Sequence, residues 1–197
     1  MPAPHVAPDA AFASLETKRL RIRRFADGDL DALVAYRSDP EVARFQGWAE
    51  GYSVEKGRDL IAAMRDRHPG GGAWFQFAIE ERATGALIGD SALLAMVAPP
   101  GTVEVGLTLA AQHQRKGFAR EALTALLDYA FGTLRAHRVA GIAFAANLRS
   151  TRMLEALGFR FEGTLRESAW FEEGWADEVG YAVLEREWAA RRATVAR

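Results

Sequence analysis

Residues 113–120 read His113-Gln114-Arg115-Lys116-Gly117-Phe118-Ala119-Arg120, and they stand at the head of a long apolar-periodic stretch. The first amides of a helix have no partner within it, and the aligned peptide dipoles favour an anion beside them. A Ser, Thr, Asp or Asn side chain ordinarily caps such amides. None occurs in these eight residues, so a bound phosphate can serve as the cap. Gly117 and Ala119 are small where a ligand must approach the backbone, while Arg115, Lys116 and Arg120 add positive charge beside it. The plain alternative for the same residues is a basic turn in front of a helix.

The elements that position this turn are legible from period. Upstream, Val103, Val105, Leu107 and Leu109 alternate with Glu104, Gly106 and Thr108 over Thr102 to Leu109, a strand with one apolar face. Downstream, Ala119, Ala122, Leu123, Leu126, Leu127 and Ala130 recur at steps of three and four, an amphipathic helix to about Leu134. Further back, Leu20 and Ile22 alternate with Arg19, Arg21 and Arg23 in a first strand over Lys18 to Phe25. Asp27 is placed to cap a helix through about Arg37. Ser53 opens a second helix to Arg67, with Val54, Leu60, Ile61 and Met64 as its stripe, and Trp48 falls in the loop between the two. After His68-Pro69-Gly70-Gly71-Gly72, the runs Ala73 to Glu80 and Ala86 to Met96 predict an antiparallel hairpin. Beyond the central helix, Arg138 to Ala145 is a strand and Ser150 to Leu157 a short helix stopped by Gly158. Phe159 to Phe171 and Trp175 to Leu184 make a closing strand pair. Residues 1–14, with three prolines and no period, are expected to form a mobile tail, followed by one domain over 15–190 and a C-terminal tail over 191–197.

Composition bounds the chemistry. A chain of 197 residues with 49% hydrophobic and 26% charged residues is long enough for one well-packed domain. Its net charge of -1 provides no overall field for nucleic acid or an anionic membrane. No run approaches the apolar length of a membrane span, and the start of the chain lacks a basic region followed by a hydrophobic one, so the expected location is the cytoplasm. The absence of cysteine excludes disulfides and a cysteinyl intermediate. His5, His68, His113 and His137 are scattered, and no metal is expected. Neither a G-x-x-x-x-G-K-[ST] loop nor a G-x-G-x-x-G turn between strand and helix is present, which disfavours nucleotide hydrolysis and nicotinamide binding.

Gln114-Arg115-Lys116-Gly117-Phe118-Ala119 resembles the [QR]-x-x-G-x-[GA] acyl-CoA loop of the GNAT N-acetyltransferase superfamily. Glu104-Val105-Gly106-Leu107 before it, Glu121-Ala122-Leu123 after it, and the Asn147 to Phe159 stretch resemble the family in the same order. Leu165-Arg166-Glu167-Ser168 and Tyr181 to Trp188 are similar to the ribosomal-protein N-terminal acetyltransferase subgroup, and the resemblance covers about Leu15 to Trp188. It implies an α/β GNAT fold: a mixed, mostly antiparallel seven-strand sheet with helices on both faces and a splayed parallel central pair. It also implies acetyl-CoA as cosubstrate without a metal. The amides from Arg115 to Arg120 would hold its pyrophosphate, the edge of Leu107, Thr108 and Leu109 would pair with the pantetheine, and Asn147 with Ser150 would meet the same arm. Asn147 is equally suited to capping the short helix.

The implied activity is acetyl transfer to a primary amine, with a protein or peptide N-terminus favoured as acceptor. Small amines such as an aminoglycoside, polyamine or amino acid, a succinyl donor, and a non-catalytic acyl-CoA sensor are the alternatives, and the chain is expected as a monomer or homodimer. Where many family members carry a thiolate-protonating tyrosine this sequence has Leu154, and the cysteine used by some members is missing. An ammonium must lose a proton before it attacks a thioester. Glu104 is the first candidate base, since Gly106 leaves room beside it on the polar face, and Asp90 is the second. Either reads equally as a solvated strand carboxylate. Trp48, Trp74, Trp170 and Trp175 are candidate walls of an acceptor pocket, with Asp177 and Glu167 as candidate attractants for a cation. His113 reads as a turn histidine.

Overall fold

A computed structural model describes residues 6–46, 48 and 51–195. One eight-stranded sheet runs in the order β1-β2-β3-β4-β5-β6-β8-β7. Its strands are β1 (Ser14–Glu16), β2 (Leu20–Arg23), β3 (Phe75–Glu81), β4 (Ala86–Ala95), β5 (Thr102–Leu109), β6 (Arg138–Phe144), β7 (Arg160–Phe171) and β8 (Gly174–Leu184). The helices are α1 (Leu30–Arg37), α2 (Pro40–Ala43), α3 (Val54–Asp66), α4 (Phe118–Gly132), α5 (Leu148–Ala156) and α6 (Glu185–Val195). Every strand pair is antiparallel except β5–β6, which is parallel. The crossover from β5 to β6 is α4, the connection a parallel pair requires.

Adjacent residues of β4 assign the helices to opposite faces. Asp90 meets Tyr36 and Arg37 of α1, whereas Ser91 pairs in register with Phe77, whose ring packs edge-on against Tyr129 of α4. Successive strand residues point to opposite faces, so α1 and α3 cover one side while α4 and, through the Trp188 to Asp128 hydrogen bond, α6 cover the other. Phe75, Phe77, Leu20, Ile22, Ile79, Ile88, Leu126 and Leu127 are fully buried between them. Helix α3 reaches α1 through Gly57, where a Cβ would stand 2.8 Å from Leu30 Cδ1. Val54, expected on the buried stripe, is instead exposed in the first turn, and Ile61 and Met64 carry the packing.

Four expectations are corrected by the structure. The sheet has eight strands, because the short β1 adds an edge beside β2. Order does not wait for Leu15: Phe12 is buried against Phe75, Phe77 and Tyr129, with ring centroids 6.1, 5.0 and 5.5 Å apart. Asp9 donates its amide to Pro69 and accepts the Tyr129 hydroxyl at 2.7 Å. A single buried aromatic among alanines and prolines leaves no period to read. Residues 1–5 of that expected tail lie outside the described residues. At the other end α6 continues through Val195, and Arg192 pairs with Asp128 at 3.0 Å, so residues 191–195 of the expected tail are helical; residues 196 and 197 lie outside the described residues. Asp27 does not cap α1; it begins a 3-10 turn, and Asp29 takes the exposed Ala26 amide at 2.7 Å.

Candidate active site

Strand β5 delivers the chain into the loop that precedes α4, and the loop is built to leave amides open. Gly117 sits at the helix N-cap with φ 80°, a left-handed conformation, and no side chain caps the helix. Arg115 is left-handed as well, with φ 60°. Among the described residues no protein acceptor meets the backbone N–H groups of Arg115 through Arg120. Arg115, Lys116, Gly117 and Arg120 are exposed, whereas Phe118 is buried and anchors the helix start. These are the donors a pyrophosphate needs.

Other side chains fasten the loop rather than open it. Gln114 Nε2 donates to the Leu109 carbonyl at 3.1 Å while its Oε1 accepts from Arg149 at 3.3 Å, so this residue ties loop, β5 and α5 together. Arg19, which sequence reasoning assigned only to a strand, donates to the Lys116 carbonyl at 2.9 Å and pairs with Glu121 at 2.6 Å. Burial pushes the Glu121 carboxyl up, but hydrogen bonds from the Thr17 hydroxyl and from the Arg19 amide and guanidinium outweigh it and hold the group below its usual range. His113 packs in the turn with its ring 6.2 Å from that of Phe118.

The parallel pair separates just beyond its first three rungs. Thr102, Val103 and Glu104 pair with Arg138, Val139 and Ala140, and there the ladder ends. Beyond it β5 stays with β4 as far as Leu109 opposite Gly89, and β6 stays with β8 as far as Phe144 opposite Glu178. A wedge therefore opens between Val105–Leu109 and Gly141–Phe144, its β5 edge without a strand partner. Leu107, Thr108 and Leu109 lie on that edge, next to the loop at residues 115–120. An extended amide chain can pair there as an added strand. On the far side, Asn147 Oδ1 accepts the Ser150 amide at 3.2 Å and caps α5. Leu154 is buried, its Cδ2 3.0 Å from where a Cβ on Gly141 would stand, and it offers no proton.

Glu104 occupies the apex of the wedge. It is half-buried, and among the described residues no cation or hydrogen-bond donor pairs with it. Burial first, and then the negative charge of Glu178, push its carboxyl above the ordinary range. Register places Glu104 on the same face as Thr108 and Asp90, and also as Ala140, Phe144, Glu178 and Leu165 across the wedge. Glu178 is a residue the sequence did not single out. It accepts the Ser168 hydroxyl at 2.9 Å, across a β7 bulge where Glu167 has φ 50°. Asp177 accepts the Glu167 amide at 2.8 Å, so it stabilises this bulge.

Asp90, the second candidate base, is differently employed. Its carboxylate is 3% exposed and takes Arg37 at 2.9 and 3.2 Å together with the Tyr36 hydroxyl at 2.5 Å. A carboxylate whose oxygens are taken up by a buried guanidinium and a tyrosine hydroxyl is a structural ion pair, turned away from any substrate. The tryptophans also divide. Trp48 stacks on the same Arg37 guanidinium at 4.0 Å, while Trp170 and Trp175 form an exposed edge-on pair at the β7–β8 turn. Trp74 lies beside α3, its carbonyl accepting from Arg67. The aromatic wall nearest the wedge is instead Phe45, Phe144 and Phe171, with Phe45 stacked on Phe171 at 5.2 Å and Phe144 at 4.8 Å from Phe171.

Comparison with known proteins places the chain in one family. Residues 19–160 match the family model of the acetyltransferase (GNAT) domain. An uncharacterized N-acetyltransferase, p20, of Bacillus licheniformis is 32% identical over 176 residues, covering 89% of this chain and 98% of its own. A GNAT-family acetyltransferase structure from Bacillus anthracis superposes with a TM-score of 0.77 at 28% identity, covering 88% of this chain and 99% of that one. More distant relatives have named acceptors. The spermidine N(1)-acetyltransferase of Vibrio cholerae is 25% identical over 88% of this chain and 97% of its own, and the [ribosomal protein uS5]-alanine N-acetyltransferase of Escherichia coli is 32% identical over 45% of each. No described helix is long and apolar enough to cross a membrane. With the open-amide loop, the splayed strands and these matches in agreement, the chain belongs to the GNAT acetyltransferase family and is an N-acetyltransferase.

Proposed function

We propose that the chain transfers the acetyl group of acetyl-CoA to the α-amino group of a protein or peptide, with Glu104 as the base. The observation that carries this reading is the position of Glu104, a half-buried carboxylate without a cation partner where the parallel strands part. The loop from Gln114 to Arg120 would hold the pyrophosphate on its open amides. The edge of Leu107, Thr108 and Leu109 would align the pantetheine so that the thioester enters the wedge. Asn147, after it caps α5, retains its amide nitrogen for the same arm, with Ser150 beside it.

Glu104 takes a proton from the ammonium, directly or through water, and the freed amine nitrogen forms a bond to the thioester carbonyl carbon. The oxygen gains negative charge, which a β5 amide near Leu107 would stabilise. Collapse of this intermediate breaks the carbon–sulfur bond. The attacking nitrogen sheds its remaining extra proton to water, and the leaving thiolate takes up a proton from water, since Leu154 has none to give. Holding amine and thioester together in the wedge contributes in its own right by removing the entropy of their encounter.

The favoured acceptor rests on the likeness to the ribosomal-protein subgroup, and Glu178 supports a second reading. A further carboxylate on the Glu104 face, beside an aromatic wall, suits a doubly charged polyamine as well as a peptide. The experiment is thiol release from acetyl-CoA, with succinyl-CoA in parallel, across N-terminal peptides, polyamines, amino acids and aminoglycosides. Peptides are expected to turn over with the highest kcat/KM. Turnover of polyamines alone would replace the acceptor assignment, and acetyl-CoA binding without any turnover would make the protein a sensor.

A further inference from the structure

We infer that Arg19, in the β1–β2 turn and outside the loop itself, is the positioning residue that holds the 115–120 loop in its open-amide conformation. The inference rests on the reading of that loop as a pyrophosphate site. Arg115 and Gly117 are both left-handed, and a non-glycine residue in that conformation persists only where its surroundings over-determine it. Between them lies Lys116, whose carbonyl accepts from Arg19 Nη1 at 2.9 Å. A trans peptide points its C=O and its N–H in opposite directions, so fixing the Lys116 carbonyl fixes the Gly117 N–H on the side away from Arg19. The guanidinium also lies over the Phe118 ring, 4.4 Å from its centroid.

Glu121, in the first turn of α4, completes the grip. It accepts Arg19 Nε at 2.6 Å, the Arg19 amide at 2.8 Å and the Thr17 hydroxyl at 2.7 Å. One side chain thus ties a loop carbonyl, an aromatic face and the helix start to the edge of the sheet. Its charge is matched by Glu121, so its effect on an anion comes from geometry more than from added field. A lysine keeps the charge but has neither the plane to stack on Phe118 nor the fork to reach both oxygens.

The test compares acetyl-CoA with S-acetyl pantetheine, which carries the same thioester arm without the pyrophosphate, in wild type, Arg19→Ala, Arg19→Lys and Glu121→Gln. Arg19→Ala is expected to lower kcat/KM for acetyl-CoA at least tenfold, through KM, and to leave S-acetyl pantetheine within twofold. Lysine should fail to restore it. Glu121→Gln, which keeps Arg19 and the side-chain volume, should show a smaller loss confined to acetyl-CoA, and it decides the matter if Arg19→Ala does not fold. A parallel loss on both thioesters, or none on either, overturns the role of Arg19. A wild-type enzyme that uses both thioesters equally well overturns the pyrophosphate reading of the loop instead.

Discussion

Replacing Glu104 by glutamine keeps the side chain's shape and removes its capacity to hold a proton at neutral pH. A general base contributes about 100-fold to 10,000-fold, roughly 2.7 to 5.5 kcal/mol of barrier. The wild-type carboxyl is pushed up by burial and by Glu178, so the acidic limb of kcat/KM should lie above the ordinary carboxylate range. In the variant that limb disappears and the rate follows the supply of free amine. An α-amino group with a pKa near 8 is about one-tenth unprotonated at pH 7, so the variant should gain about tenfold by pH 9 and then level off. An alkylammonium with a pKa near about 10.4 is less than roughly 0.1% unprotonated at pH 7, and its rate would still be climbing at pH 10. Thiol release followed from pH 5 to 10 at saturating acetyl-CoA therefore tests both the base and the acceptor. The folded state raises the pKa of Glu104, so whatever this group adds to stability is present at low pH and lost as the carboxylate ionises. At pH 7 the glutamine variant should melt no lower than wild type. A variant within twofold of wild-type turnover at pH 7 would show that Glu104 is a bystander.

Other perturbations separate binding, charge and packing. Gly117→Asp, which puts a carboxylate on a left-handed residue beside the open amides, should abolish the thermal shift caused by CoA; in wild type a ligand at 100 times its Kd adds about 2.7 kcal/mol. Glu178→Gln should move the acidic limb of the pH–rate profile downward, because a like charge facing Glu104 is removed, and an unmoved limb would leave burial as the sole cause. Asp90→Ala strands a guanidinium that is 2% exposed and should cost about 3–5 kcal/mol in urea unfolding. Phe12→Ala should cost about 3–5 kcal/mol by the same measurement, since its ring lies against three others in the core; a cost near zero would return this segment to the status of a tail.

What was legible in the sequence was what repeats. The period-two strand at Thr102–Leu109 and the three-and-four spacing of α4 located the loop between them, and the loop's composition foretold a helix start that no side chain caps. The helix stop at Gly158 and the closing hairpin were equally local. What could not be read was pairing at long range. Arg19 and Glu121 are 102 residues apart, Tyr36 and Asp90 are 54 apart, and neither pair leaves any mark on the period of its own segment. Asp90 and Glu104 look alike as strand carboxylates, and only the arrival of α1 pairs one with Arg37, while the other meets no cation among the described residues. Glu178 was passed over in favour of Asp177 for a related reason. The register of β8 on β6 decides which of two adjacent acids shares the Glu104 face, and that register is set by the partner strand.

The division of the sheet explains why the site sits where it does. Helices α4, α5 and α6 cover the face on which Val103, Val105 and Leu107 are packed, and α1 with α3 covers the other face over the β3–β4 side. Toward β7 that second face is less covered: Phe45 packs on Phe144 and Phe171, while Ile142 and Leu165 remain 45% and 48% exposed on it. On the proposed reading the thioester arm would enter between strands from the loop side, and an acceptor would approach from the face toward β7. Glu104, where the parallel ladder ends, is where those two proposed routes would meet. An acceptor long enough to reach it therefore crosses Ile142, Phe144 and Leu165 first, a path with apolar walls and a second carboxylate. If that path selects the acceptor, Leu165→Asp should lower kcat/KM for apolar N-terminal peptides at least tenfold while leaving the acetyl-CoA Kd unchanged. Equal losses for apolar and acidic peptides would place the acceptor elsewhere.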